Sequence, residues 1–124
     1  MANVKVLLVE DDVSLSNETA EILRQEGFEV VVSDSSVKAL ELISNDHYDA
    51  IVVDLVLKDG DAFPILDKLR TSNQQMPVVV ATQYLPQYIR EISSFFKQVK
   101  LIVPKPYPAA SLAATVSALA QAAD

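Results

Sequence analysis

VKVLLVEDDVS, residues 4–14, is an apolar, β-branched run that breaks abruptly into three consecutive acids, Glu10, Asp11 and Asp12. Its apolar part, 4–9, is nearly continuous rather than alternating, the pattern of a strand buried on both faces. Four more runs of strand length follow at fairly regular spacing: FEVVVS (28–33), DAIVVD (49–54), PVVVAT (77–82) and VKLIV (99–103). Strands of this kind belong to parallel sheets, where crossover helices cover each face.

Helix-period segments occupy the gaps. The first, 13–26, has Leu15, Ala20, Ile22 and Leu23 among polar residues and Gly27 as its stop. In the second, about 36–45, Val37, Leu40 and Ile43 recur at spacings of three and are expected to form the inward face. The third, about 61–71, takes Asp61 as N-cap and Pro64 in its first turn, with Ile65, Leu66 and Leu69 inward. A fourth, about 86–97, opens with Pro86 and carries Ile89, Ile92, Phe95 and Phe96; the fifth, about 108–122, opens with Pro108 and is rich in Ala and Leu. The whole is (βα) repeated five times, which implies an α/β fold with a parallel five-stranded sheet between two layers of helices.

Composition narrows the function. A chain of 124 residues is the size of one domain, expected to run 1–124, and half of its residues are hydrophobic, enough for a single core. No apolar run approaches the roughly 20 residues of a membrane span, and the acidic turn at Glu10 comes too soon for a secretory signal, so a cytoplasmic location is expected. Without cysteine there is no disulfide, thiolate metal site or cysteine nucleophile. Seventeen acids against ten Lys and Arg give a formal charge of -7, which disfavours direct contact with nucleic acid or anionic lipid.

In an open parallel sheet, ligands bind beyond the carboxyl ends of the strands, where strand order reverses. On that rim lie Glu10, Asp11 and Asp12 after the first strand, Asp54 ending the third, Thr82 ending the fourth, and Lys105 and Pro106 after the fifth. Clustered carboxylates resist ionisation unless a cation sits among them, and a hard divalent ion with oxygen ligands does so. Mg²⁺ is the natural candidate, with Asp11 and Asp54 as direct ligands. A carboxylate beside such an ion can also attack phosphorus, and Asp54 is assigned that role. Lys105 would pair with a phosphoryl oxygen and Thr82 donate to another.

VEDD (9–12), DLVLKDGDA (54–62), VVVAT (78–82) and PKP (104–106) together resemble the receiver domains of two-component response regulators, over essentially the whole chain and in register. The resemblance implies a flavodoxin-like three-layer sandwich with strand order 2-1-3-4-5. It makes Asp54 the phosphoacceptor, Glu10 and Asp11 the acidic pair for Mg²⁺, and Thr82 and Lys105 the hydroxyl and the lysine of the site. It takes a further metal ligand from the backbone carbonyl of Val56, and it suggests a cis peptide at Lys105-Pro106. It also implies a histidine kinase or histidine phosphotransfer protein as phosphodonor and a downstream protein target or an output domain outside these residues as recipient, with a phosphorylation-dependent homodimer as one form of response. Such a domain catalyses its own phosphorylation and dephosphorylation, but it is primarily a signalling switch acting through its fourth helix, fifth strand and fifth helix.

The chain departs from that pattern at several positions. Ile102 stands where an aromatic rotor is usual, so only the Thr82-linked half of the switch is expected to operate. Gln83 replaces a small residue and is expected to lean over the site and slow the donor. Val56 and Tyr84 flank the path of attacking water and are neither acidic nor amide-bearing, which suggests slow autodephosphorylation. Lys58 and Ala62 replace common Pro and Gly, and Gly60 can still supply a positive φ.

Simpler roles cover other residues. Asp12 is expected to cap the first helix, Asp59 and Asp61 to make a turn and cap the third, and His47 to be a solvated turn residue. Phe95 and Phe96 read as core, and Tyr84 and Tyr88 as exposed. Two other functions compete with the switch. One is a pseudo-receiver that binds partners without phosphorylation, favoured by Gln83 and Ile102 and opposed by the complete acid, hydroxyl and lysine set. The other is an enzyme or cofactor protein on the same fold, opposed by the acids after the first strand, which repel phosphate, and by Val56, where a haloacid dehalogenase-type phosphatase needs a second acid.

Overall fold

The computed structural model describes residues 4–72, 74–83 and 89–122. Along the chain run β1 (Lys5–Val9), α1 (Val13–Gln25), β2 (Glu29–Ser33), α2 (Ser36–Asn45), β3 (Ala50–Asp54), β4 (Val56–Leu57), β5 (Gly60–Asp61), α3 (Phe63–Thr71), β6 (Val78–Thr82), α4 (Ile89–Phe95), β7 (Val99–Pro104) and α5 (Ala109–Ala122). Five strands form one parallel sheet in the order β2-β1-β3-β6-β7, which is 2-1-3-4-5 once the two-residue strands β4 and β5 are set aside. This is the flavodoxin-like α/β sandwich.

Alternation along each strand sorts the β-branched residues into two cores. Leu7, Val9, Ile51, Val53, Val78 and Val80 face α2, α3 and α4, where Ile43, Ile65, Leu66, Leu69 and Ile92 meet them. Val6, Leu8, Val52 and Val79 face the opposite way, against Ala20 and Leu23 of α1 and Leu112, Ala113 and Val116 of α5. A continuous apolar run is therefore needed, because neither face of a central strand meets water. Each strand also delivers its last residue to the same edge, and the order reverses between β1 and β3, so the crevice of the site opens there.

Asp12 caps α1 as expected, accepting from Leu15 N at 3.1 Å. Gly27 follows that helix with φ +95°, and Gly60 has φ +141°, both in the region that disfavours side chains. His47 is exposed beside Asp49, and Lys105-Pro106 is cis.

Four local expectations are corrected. Val37 is 70% exposed, and α2 instead buries Ser36, Ala39 and Ile43, because the spacing-of-three face drifts around a helix of 3.6 residues per turn. Ala62, not Asp61, is the N-cap of α3, and Asp61 Oδ1 accepts from Phe63 N at 2.9 Å from within β5. Asp59 serves α2 rather than α3, accepting from its first two amides beside the N-cap Ser35. Phe95 is 56% exposed whereas Phe96 is buried; the two rings pack edge to face, and the Arg70 guanidinium covers Phe95. Pro86, Tyr84 and Tyr88 lie outside the described residues.

Candidate functional site

Glu10, directly after β1, and Asp54, the last residue of β3, are both nearly inaccessible, with 2% and 7% of their surface exposed. Carboxylates this deep need partners. Lys105, in the loop after β7, donates from Nζ to Glu10 Oε1 at 2.9 Å and to Asp54 Oδ2 at 2.7 Å. The remaining oxygens take backbone donors: Glu10 Oε2 accepts from Asp12 N at 3.2 Å and Asp54 Oδ1 from Val56 N at 3.3 Å. Asp11 completes the group, since one carboxylate oxygen each from Glu10, Asp11 and Asp54 lies within 4.8 Å of the others.

Burial pushes the Glu10 carboxyl up, and the bond from Lys105 only partly offsets it. For Lys105, burial alone would favour the neutral amine, yet the bonds from Asp54 and Glu10 outweigh it and hold the ammonium above its usual range. Two buried carboxylates share a single ammonium and a third lies beside them, so the cluster is left with excess negative charge in a poorly solvated place. A hard divalent cation suits that donor set: all oxygen, acidic and clustered. Asp12 stands outside it, its carboxylate occupied at the start of α1.

Residues 6–117 match the family described as response regulator receiver domain. The chain belongs to that family. Among curated relatives, the response regulator MprA of Mycobacterium sp. (strain KMS) is 30% identical over 79 residues, which is 64% of this chain and 34% of that protein. The chain thus corresponds to a part of the curated relatives it matches. A CheY-like receiver domain protein of Methanospirillum hungatei JF-1 superimposes with a TM-score of 0.89 at 21% identity, covering 98% of this chain and 96% of that one. The receiver domain of the sensor histidine kinase PA1611 of Pseudomonas aeruginosa PAO1, solved with a magnesium ion coordinated in its active site cleft, gives a TM-score of 0.83 at 23% identity, covering 97% and 99%.

In this receiver domain the acidic cluster of Glu10, Asp11 and Asp54 fits a phosphoacceptor site. Thr82, buried at the end of β6, pairs in register with Pro104, and its carbonyl accepts from Lys105 N at 2.8 Å. The hydroxyl-bearing strand is thereby joined to the lysine-bearing loop. Gln83 is exposed and shares the walls of a cleft of about 350 Å³ with Lys105, Pro106, Asp12 and Glu18. Ile102 is half-buried and packs into the core under α2, α3 and α4. Val56 is 44% exposed on the rim, two residues beyond Asp54. No described helix is long and apolar enough to cross a membrane.

Two contacts escaped the sequence reading. Tyr107 OH lies 3.2 Å from Thr19 Oγ1, tying the Lys105 loop to α1, and burial pushes the Tyr107 phenol up. The turn between β4 and β5 is fastened to α2 through Asp59 and to Asp34 through Lys58, at 2.8 Å. Neither has a periodic signal, because each joins residues from separate elements.

Proposed function

We propose that Asp54 accepts a phosphoryl group from a phosphohistidine of a partner kinase or phosphotransfer protein, and that the chain acts as one cytoplasmic receiver domain switched by that event. The observation that carries this reading is the clustering of Glu10, Asp11 and Asp54 at the carboxyl edge of the sheet, with the Lys105 ammonium bonded to Glu10 and Asp54. In the transfer the donor's N–P bond breaks as an Asp54 carboxylate oxygen bonds to phosphorus, and the imidazole leaves with its electron pair. Hydrolysis reverses the state: water attacks phosphorus, inorganic phosphate leaves and the carboxylate is restored.

Glu10, Asp11, Asp54 and the Val56 carbonyl would hold Mg²⁺, a reading supported by the magnesium-bound PA1611 receiver. When bound, the ion neutralises charge on the phosphoryl oxygens and lets an anionic acceptor meet an anionic donor. Lys105 keeps Asp54 oriented before transfer and stabilises a phosphoryl oxygen after it. The Thr82 hydroxyl donates to another oxygen. Because Thr82 is joined to β7 and the Lys105 loop, its movement would bias the surface of α4, β7 and α5 toward one of two arrangements, which a downstream protein, an output domain or a second copy then reads. Half-buried Ile102 leaves that task to Thr82 and the segment after it.

The test is intact-protein mass after incubation with Mg²⁺ and acetyl phosphate. One added phosphoryl group, lost in Asp54→Asn and in EDTA, is the expected result. No addition to the native chain from either acetyl phosphate or a phosphorylated histidine phosphotransfer protein would overturn the reading.

A further inference from the structure

Strands β4 and β5 contain two residues each, paired as Val56 with Asp61 and Leu57 with Gly60. A ribbon this short has marginal stability in isolation. Its base is fixed by buried Leu57 and by Ala62 N donating to Leu55 O at 2.9 Å. Its tip is fixed from across the rim. Asp59 Oδ1 accepts from Ser36 N at 2.9 Å and Oδ2 from Val37 N at 3.1 Å, so both oxygens grip the first two amides of α2. Those amides have no acceptor within their own helix, and the carboxylate also meets the positive end of its dipole. Beside it, Lys58 Nζ pairs with Asp34 Oδ2 at 2.8 Å.

The ribbon also reaches the site, because it starts at Val56, whose N–H donates to Asp54 Oδ1. Resting on the reading of Asp54 and Val56 given above, we propose that Asp59 is a positioning residue: by gripping the start of α2 it holds the ribbon that presents Val56, and so couples occupancy of the metal site to the first turn of α2. A binding event that needs Val56 in place is helped by the grip, and by reciprocity the same event tightens the grip. Supporting groups of this kind typically change metal affinity by about tenfold or more.

The test compares the native chain with Asp59→Ala, Asp59→Asn and Lys58→Ala. Mg²⁺ affinity is measured by calorimetry, and amide hydrogen exchange at Ser36 and Val37 with and without Mg²⁺. Asp59→Ala is expected to weaken Mg²⁺ binding about tenfold, with Asp59→Asn intermediate and Lys58→Ala near native. Added Mg²⁺ is expected to slow exchange at Ser36 and Val37 in the native chain and not in Asp59→Ala. A structural cap alone would speed exchange at those amides and leave Mg²⁺ affinity within twofold of native, and that result overturns the proposal. A native chain that does not bind Mg²⁺ would instead remove the underlying reading of the site. Should Asp59→Ala fail to fold, Asp59→Asn decides, since it keeps one acceptor and loses the charge.

Discussion

Lys105 Nζ stands 2.7 Å from Asp54 Oδ2, although 51 residues separate the two in the chain. The bond crosses from the loop after β7 to the end of β3, strands that do not touch each other because β6 lies between them. It gives a buried carboxylate its counter-charge.

Replacing Lys105 with Met keeps the aliphatic stem and removes the ammonium. Glu10 and Asp54 are then buried without a cationic partner, a loss expected to cost about 3 kcal/mol of stability at neutral pH in EDTA. Urea unfolding measures it. Mg²⁺ titration of the same variant should show tighter binding, because a competing cation is gone; weaker binding would mean that Lys105 assists the ion rather than competing with it.

Autodephosphorylation is expected to be slow, since Val56 offers no group to orient water. A phosphoryl lifetime of minutes or longer is expected in the native chain, followed by mass after the donor is removed, and a lifetime of seconds would contradict it. Val56→Asn should shorten the lifetime by about tenfold by giving attacking water a hydrogen-bonding partner.

Asp59 sets an acid-side dependence. The N–H groups of Ser36 and Val37 hold its carboxyl below the usual aspartate value. A depressed folded pKa means that stability is fully present above the unfolded value, about 3.9, and is lost as pH falls through the folded one. Melting temperatures of native and Asp59→Asn proteins should therefore differ most at neutral pH and converge below about pH 4. A gap that stays constant down to pH 3 would contradict this linkage.

Tyr48 is fully buried, and its hydroxyl finds no hydrogen-bond partner among the described residues. Burial also pushes its phenol up. Tyr48→Phe removes a desolvated polar group while keeping the ring, so stability is expected to hold or rise by about 1 kcal/mol. A loss of more than that in denaturant unfolding would mean that the hydroxyl is satisfied in solution.

Much of the site could be read along the chain because each of its residues sits at the end of a strand, and strands announce themselves locally. Glu10, Asp54 and Thr82 each end or directly follow a β-branched run, and Lys105 follows another by two residues. What failed were statements about direction. Val37 and Phe95 look as apolar as Ile43 and Phe96, yet which of each pair is covered depends on where the neighbouring elements lie. Asp59 and Asp61 both look like caps for the helix just ahead. The ribbon's turn carries Asp59 away from α3 and over to α2, which it follows by more than ten residues.

The amino-acid order by itself determined the five strands, the helices between them and the edge on which the acids gather, because periodicity and backbone preference act over a few neighbouring residues. Tertiary structure decided the rest: which two carboxylates share the Lys105 ammonium, that Asp59 grips α2, and that Thr82 is joined to the Lys105 loop. Those contacts join segments far apart in the chain, and their distances and charges exist only once the sheet has brought the strand ends together.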